Sequence, residues 1–129
     1  TPASIFLENT ATESFRKAEE TARKLSTDDL RITNAYSIKT NPDERLIKLA
    51  LDSGFLAETI SLLEVKKAIE VGFKPEQIIL NGPAKGWRRE NLPAGKLYSI
   101  FCDSIEELNE VIEKAERGEL KTHFLGVRL

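Results

Sequence analysis

The chain has 129 residues, 40% of them hydrophobic, and 19 lysines and arginines against 21 aspartates and glutamates give a formal net charge of −2. That near balance excludes the one-signed basic surface of a nucleic-acid binder. One cysteine (Cys102) and one histidine (His123) exclude an internal disulfide and a structural metal set, and no apolar run is long enough to span a membrane.

Ser4 to Glu8 predicts a short strand, the start Thr1-Pro2-Ala3-Ser4 lacks the basic region and apolar stretch of an export signal, and the single cysteine suits a reducing cytoplasm as the expected compartment. Thr10 with Glu13 forms a Ser/Thr-x-x-Glu pattern that predicts a helix start, followed by Phe15, Ala18, Ala22 and Leu25 at helical spacing. After a polar break, Arg31 to Ile38 has the β-branched and aromatic content of a strand. Asn41 with Pro42 behind it predicts the next cap, Leu46, Ile47, Leu49 and Ala50 the apolar face, and Gly54 the end.

The pattern then repeats. Phe55 to Ile60 is a strand, Ser61 to Glu64 a capping box, Val65, Ala68 and Ile69 an inward face, and Gly72 a stop. Gln77 to Leu80 is a short buried strand, and Asn81 to Gly86 a turn with two glycines. Trp87 to Leu92 makes at most a short helix before Pro93. Leu97 to Cys102 is another strand, and Ser104 with Glu107 opens a helix carrying Ile105, Leu108, Val111, Ile112 and Ala115 on one face. Gly118 follows that helix, and Thr122 to Leu129 reads as a sixth strand.

Six strands alternating with helices, starting about 20 to 30 residues apart, call for parallel strands joined by crossover helices. No glycine-rich fingerprint follows the first strands, which favours a barrel over an open nucleotide-binding sheet. A complete eight-stranded barrel takes about 250 residues. The expected fold is therefore α/β, a partial (β/α)8 TIM-type barrel comprising the N-terminal half.

In such a barrel the chemistry is carried at the carboxyl ends of the strands. Those ends offer Lys39, Glu58 with Ser61, Asn81 with Lys85, Asp103 with Ser104, and Arg128. Simple structural roles compete for several of them. Ser61, Ser104 and Asp103 are explained first as helix caps, and Asn81-Gly82-Pro83 as a turn. Cys102 suits a small buried apolar residue, His123 a surface side chain, and the acidic run from Glu106 to Glu116 a solvated helix face. Lys39 and Arg128 fit such roles less well, because Arg128 puts a charge inside an apolar strand expected to be buried, where it needs a partner.

Ala35-Tyr36-Ser37-Ile38-Lys39-Thr40-Asn41-Pro42 resembles the lysine motif of the barrel-fold (type III) pyridoxal-phosphate decarboxylases, the family of diaminopimelate and ornithine decarboxylases. Ser53 to Glu64 is similar to that family's second motif, a glycine, an acid, then Ser-x-x-Glu. Ile78 to Lys85 resembles its third, Cys102 to Leu108 its fourth, and Gly126-Val127-Arg128-Leu129 the strand bearing its arginine. Thr1-Pro2 resembles the entry into the domain, so the likeness runs through essentially the whole chain in order.

The resemblance implies pyridoxal 5'-phosphate as cofactor, with Lys39 as the Schiff-base lysine. Glu58 would lie beside the cofactor where the family more often has Asp, Arg128 near its ring, and Asn81 on the same rim. Schiff-base formation needs an unprotonated amine, which a partly desolvated pocket beside another cation favours. The family's stacking histidine, phosphate cradle, pyridine-nitrogen acid and C-terminal β-domain have no counterpart in this chain. Residues 1–129 are thus expected to form the N-terminal portion of a pyridoxal-phosphate-binding barrel and to be inactive alone. The parent is expected to be a cytoplasmic homodimer that decarboxylates a small amino acid, diaminopimelate first. Ornithine, lysine, arginine or a carboxylated polyamine is the alternative within the fold, and a non-catalytic binding or regulatory module the alternative outside it. An alanine-racemase-like role fits less well, because Thr40-Asn41-Pro42 lacks the glycine-rich continuation of that group.

Overall fold

The computed structural model describes residues 7–83, 92 and 94–128, which form one parallel sheet with helices packed on one face. Its elements are α1 (Glu8–Leu25), β1 (Ala35–Ser37), α2 (Glu44–Asp52), β2 (Leu56–Thr59), α3 (Leu62–Val71), β3 (Ile78–Asn81), β4 (Leu97–Cys102), α4 (Ile105–Glu116) and β5 (Thr122–Val127), with a 3-10 turn at Pro75–Gln77. The five strands lie in the order β1-β2-β3-β4-β5, all parallel. A doubly wound sheet reverses its strand order at a switch point. The unbroken sequential order here is that of a barrel wall, as the sequence predicts.

Register settles which side chains share a face. Ser37 pairs with Glu58 and Glu58 with Ile79, while Asn81 pairs with Phe101 and Phe101 with Gly126. These residues line the face away from the helices. On the other face Ala57, Thr59, Ile78, Leu80, Ile100 and Cys102 are buried with Ile47 and Ala50 of α2, Val65 and Ala68 of α3 and Val111 of α4. A central parallel strand needs such cover. The Phe15 ring, 4.9 Å from that of Phe55 and 5.6 Å from that of Tyr36, docks α1 on the start of the sheet.

Several local expectations need correction. Glu8 begins α1 instead of ending a strand, and residues 4–6 of the predicted first strand lie outside the described residues. Thr10 sits inside α1, its carbonyl accepting from Ser14 Oγ (2.9 Å), so it caps nothing. A carboxylate at Glu8 and Arg23 and Lys24 in the last turn suit the helix dipole, which offsets the missing cap. The strand predicted over Arg31 to Ile38 shrinks to Ala35–Ser37, because the Ile32 N–H donates to Ser26 Oγ (3.0 Å) instead of to a neighbouring strand.

Helix α2 begins two residues later than predicted. Asp43 is its cap, accepting from the Arg45 N–H (2.9 Å), while Asn41 Oδ1 accepts from the Asp43 N–H (3.1 Å) in a turn of its own. The two downstream caps match the sequence: Ser61 Oγ accepts from the Glu64 N–H (3.3 Å) and Ser104 Oγ from the Glu107 N–H (3.1 Å). Their glutamates reach one residue further back than a capping box requires, accepting from the Ile60 and Asp103 N–H groups at 2.9 and 2.8 Å. On α4, Val111 is buried, but Ile105 and Ile112 are exposed. Ile112 instead lines an open, largely apolar groove of about 500 Å³ with Leu120 and Leu125. The short helix expected over Trp87 to Leu92 lies outside the described residues except for Leu92, which packs against the core.

Candidate active site at the carboxyl ends of the strands

Three of the four predicted site residues are joined at one rim. Glu58 in β2, Asn81 at the end of β3 and Arg128 just past β5 share the face turned away from the helices. Asn81 Nδ2 donates to Glu58 Oε1 at 3.2 Å, and Arg128 Nη1 donates to Asn81 Oδ1 at 3.4 Å. The second contact is long for a hydrogen bond. Glu58 and Asn81 are half-buried, so the series lies in the surface of the sheet.

Lys39 stands at the same end, in the turn after β1 and two residues beyond Ser37. It is exposed and has no ion pair among the described residues. The geometry therefore links Glu58, Asn81 and Arg128 but does not bring Lys39 into contact with them. Its expected desolvated pocket is not formed by the described residues.

Arg128 corrects another expectation. It is not a charge buried in an apolar strand: its side chain keeps 54% exposure, and it has a partner in Asp103, whose Oδ1 lies 3.0 Å from Nη1. The sequence pattern assigns Asp103 first to a helix cap, but the cap belongs to Ser104, which leaves the Asp103 carboxylate to the rim. Its position directly after a strand is what places it among the strand-end candidates in the sequence, although a helix cap is the first reading there.

Two glycines shape this rim. Gly82, at φ 145°, puts its backbone so close to Ile60 that an added Cβ would meet Ile60 Cβ at 2.9 Å. A Cβ at Gly126 would stand 2.5 Å from the ring of Phe101, its register partner on β4. Elsewhere, Cys102 is buried and His123 exposed, and the described residues hold no group of three or more metal-ligating side chains. No helix among the described residues is long and apolar enough to cross a membrane.

Residues 12–128 match the family model for the pyridoxal-dependent decarboxylases, pyridoxal binding domain. Among curated relatives, the chain is 30% identical over 76 residues to diaminopimelate decarboxylase of Bacteroides thetaiotaomicron, covering 59% of this chain and 19% of the relative. It is 35% identical over 96 residues to L-glutamyl-[BtrI acyl-carrier protein] decarboxylase of Niallia circulans, covering 72% and 22%. The chain thus spans about a fifth of the length of these relatives. Among solved structures, lysine/ornithine decarboxylase of Vibrio vulnificus superposes with a TM-score of 0.64 at 19% identity, over 92% of this chain and 32% of that one. Arginine decarboxylase of Paramecium bursaria Chlorella virus superposes with a TM-score of 0.62 at 24% identity, over 79% and 26%. Both likenesses are of fold.

Proposed function

The chain belongs to the pyridoxal-dependent decarboxylases, its residues 12–128 matching their pyridoxal binding domain, and from that premise we propose that the whole protein removes the carboxylate of an amino acid with Lys39 as its cofactor-bearing lysine. The observation that carries this reading is the hydrogen-bonded series Glu58–Asn81–Arg128 at the strand ends where Lys39 also stands. An amine, a carboxylate, an amide and a guanidinium on one rim suit a cofactor with an aldehyde and acceptor oxygens. When bound, pyridoxal phosphate supplies that aldehyde and an electron-accepting ring for the carbanion left by carbon dioxide.

The side chains of the rim supply binding and orientation. Lys39 offers Nζ from an open turn, without an ion pair among the described residues to break first. Arg128 presents N–H donors fixed in a fork, suited to an anionic or acceptor oxygen. Glu58 offsets that positive charge through Asn81, whose amide bridges the two. In the full-length protein, this chain is the N-terminal portion of the barrel, inactive alone, and the assembled enzyme is a cytoplasmic homodimer.

Diaminopimelate is the first substrate in this reading, which would place the protein in lysine biosynthesis. The relatives of that name support it. Ornithine, lysine and arginine follow as alternatives within the fold. The 35% identity to the glutamyl carrier-protein enzyme favours a second reading, in which the amino acid arrives tethered to a carrier.

The test uses the full-length protein with pyridoxal phosphate. An absorbance band at roughly 420 nm that borohydride removes, with the adduct mapped to Lys39 and absent from Lys39→Ala, is expected. Carbon dioxide release from diaminopimelate, ornithine, lysine, arginine and a glutamyl carrier protein then chooses the substrate. An intact protein that takes up no pyridoxal phosphate overturns the enzyme reading and leaves a barrel-derived binding module.

A further inference from the structure

The rim holds one carboxylate that the proposed function leaves without a role. Asp103 directly follows β4, and its backbone is pinned: its N–H donates to Glu107 Oε2 at 2.8 Å, while Ser104 caps α4. The helix start therefore makes no demand on its carboxylate. That carboxylate is only 21% exposed and lies 3.0 Å from Arg128 Nη1. The Arg128 N–H in turn donates to the carbonyl of Cys102, the residue before Asp103, at 2.8 Å. Arg128 is thus tied to the end of β4 through both its backbone and its side chain.

The two contacts of Nη1 are unequal. The one to Asp103 is charge-assisted and 3.0 Å long, and the one to Asn81 Oδ1 is 3.4 Å long and made to a neutral amide. Ionised pairs at that range are the stronger kind, so Asp103 decides where the guanidinium sits and Asn81 meets it there. The charges on either side then fix the Asn81 amide. A reversed amide would set its NH2 against the guanidinium and its oxygen against the Glu58 carboxylate.

We propose that Asp103 is a positioning residue: its carboxylate holds the Arg128 guanidinium over the rim and, through it, keeps the Asn81 amide turned toward Glu58. With the arginine side chain half exposed, removal of that carboxylate frees a long, flexible cation to swing into solvent. For cofactor affinity the inference rests on the proposed role of this rim in binding pyridoxal phosphate. The hold on Arg128 itself does not.

Two measurements on the full-length protein separate these. In a crystal structure of the cofactor-free Asp103→Asn variant, the Arg128–Asn81 contact is expected to be lost, and in Asp103→Glu to be kept. Arg128 still seated on Asn81 in Asp103→Asn overturns the inference. Titration with pyridoxal phosphate is then compared among wild type, Asp103→Asn, Arg128→Met and the double variant. Asp103→Asn is expected to weaken binding about tenfold in the wild-type background and less than about twofold in the Arg128→Met background. An equal loss in both backgrounds means that Asp103 acts otherwise than through Arg128, and also overturns the proposal. A wild-type protein that takes up no pyridoxal phosphate overturns the cofactor reading instead, and the crystal structure still decides the role of Asp103.

Discussion

Gly82 carries the backbone away from Asn81 at a φ of 145°, with Ile60 close enough to touch any added Cβ. Replacing it with alanine combines a strained backbone with a clash against a backbone-proximal carbon that cannot swing aside. We expect Gly82→Ala to lower stability by about 1–3 kcal/mol in urea unfolding. The same change is expected to weaken cofactor binding, because Asn81 precedes it directly. At Gly126 the obstacle is the edge of the Phe101 ring. Much of the rim's identity was legible in the sequence, since Lys39, Glu58, Asn81 and Arg128 all follow or end strand-like runs. Their pairing was not. The bonds Glu58–Asn81 and Asn81–Arg128 span 23 and 47 residues and depend on strand register, which the spacing of motifs leaves open. Asp103 was legible as a strand-end residue, but its tie to Arg128 was not, since a residue beside a capping serine satisfies a local rule before its distant partner can be seen.

The capped helix starts separate into two kinds. Ser61 and Ser104 bond within three residues of themselves, so composition alone identifies them. The start of α2 depends instead on how the Asn41-Pro42 turn hands the chain to Asp43, and a local pattern offered two candidate caps. Ser104→Ala is expected to cost about 1 kcal/mol of stability, measured by thermal or urea unfolding. At Asp43, the side-chain hydrogen bond from Arg45, reinforced by the Arg45 backbone N–H, brings the carboxyl down to about 2. A folded value below the ordinary 3.8 means the ionised form is favoured by folding. The resulting stability is complete above about pH 4 and lost as pH falls toward about 2. Asp43→Asn should therefore flatten the acid limb of the stability curve in that window, with little change in its slope near neutrality. An unchanged acid limb would show that the Asp43 cap contributes nothing of electrostatic origin.

For the molecule as a whole, the alternation of strands and helices in the sequence was enough to predict parallel strands in a barrel wall. The strand order bears this out. A half barrel is expected from its strand count to leave open strand edges, and the last unit gives that expectation its residues. Phe124, Leu125 and Val127 of β5 are exposed, no described strand pairs with its outer edge, and the groove beside α4 is open. An uncovered apolar edge invites pairing. In sedimentation, the 129-residue chain by itself is expected to associate with rising concentration, and Leu125→Lys with Val127→Lys to suppress this. A chain that stays monomeric at high concentration would refute the expectation.

The sequential strand order has a consequence for inheritance. Each rim residue is supplied by its own strand, and the strands stand side by side in the order in which they are encoded. A genetic crossover between two relatives that falls within α3 would exchange Lys39 and Glu58 as one block against Asn81, Asp103 and Arg128 as another. Among the described strands, the seam between β2 and β3 is the one that would then join strands of different parentage. The Asn81–Glu58 hydrogen bond straddles that seam, whereas the Asp103–Arg128 pair lies wholly on one side of it. Chimeras made this way should keep the pair intact, and of these two side-chain contacts the amide bridge is the one that reports whether the two parents are compatible.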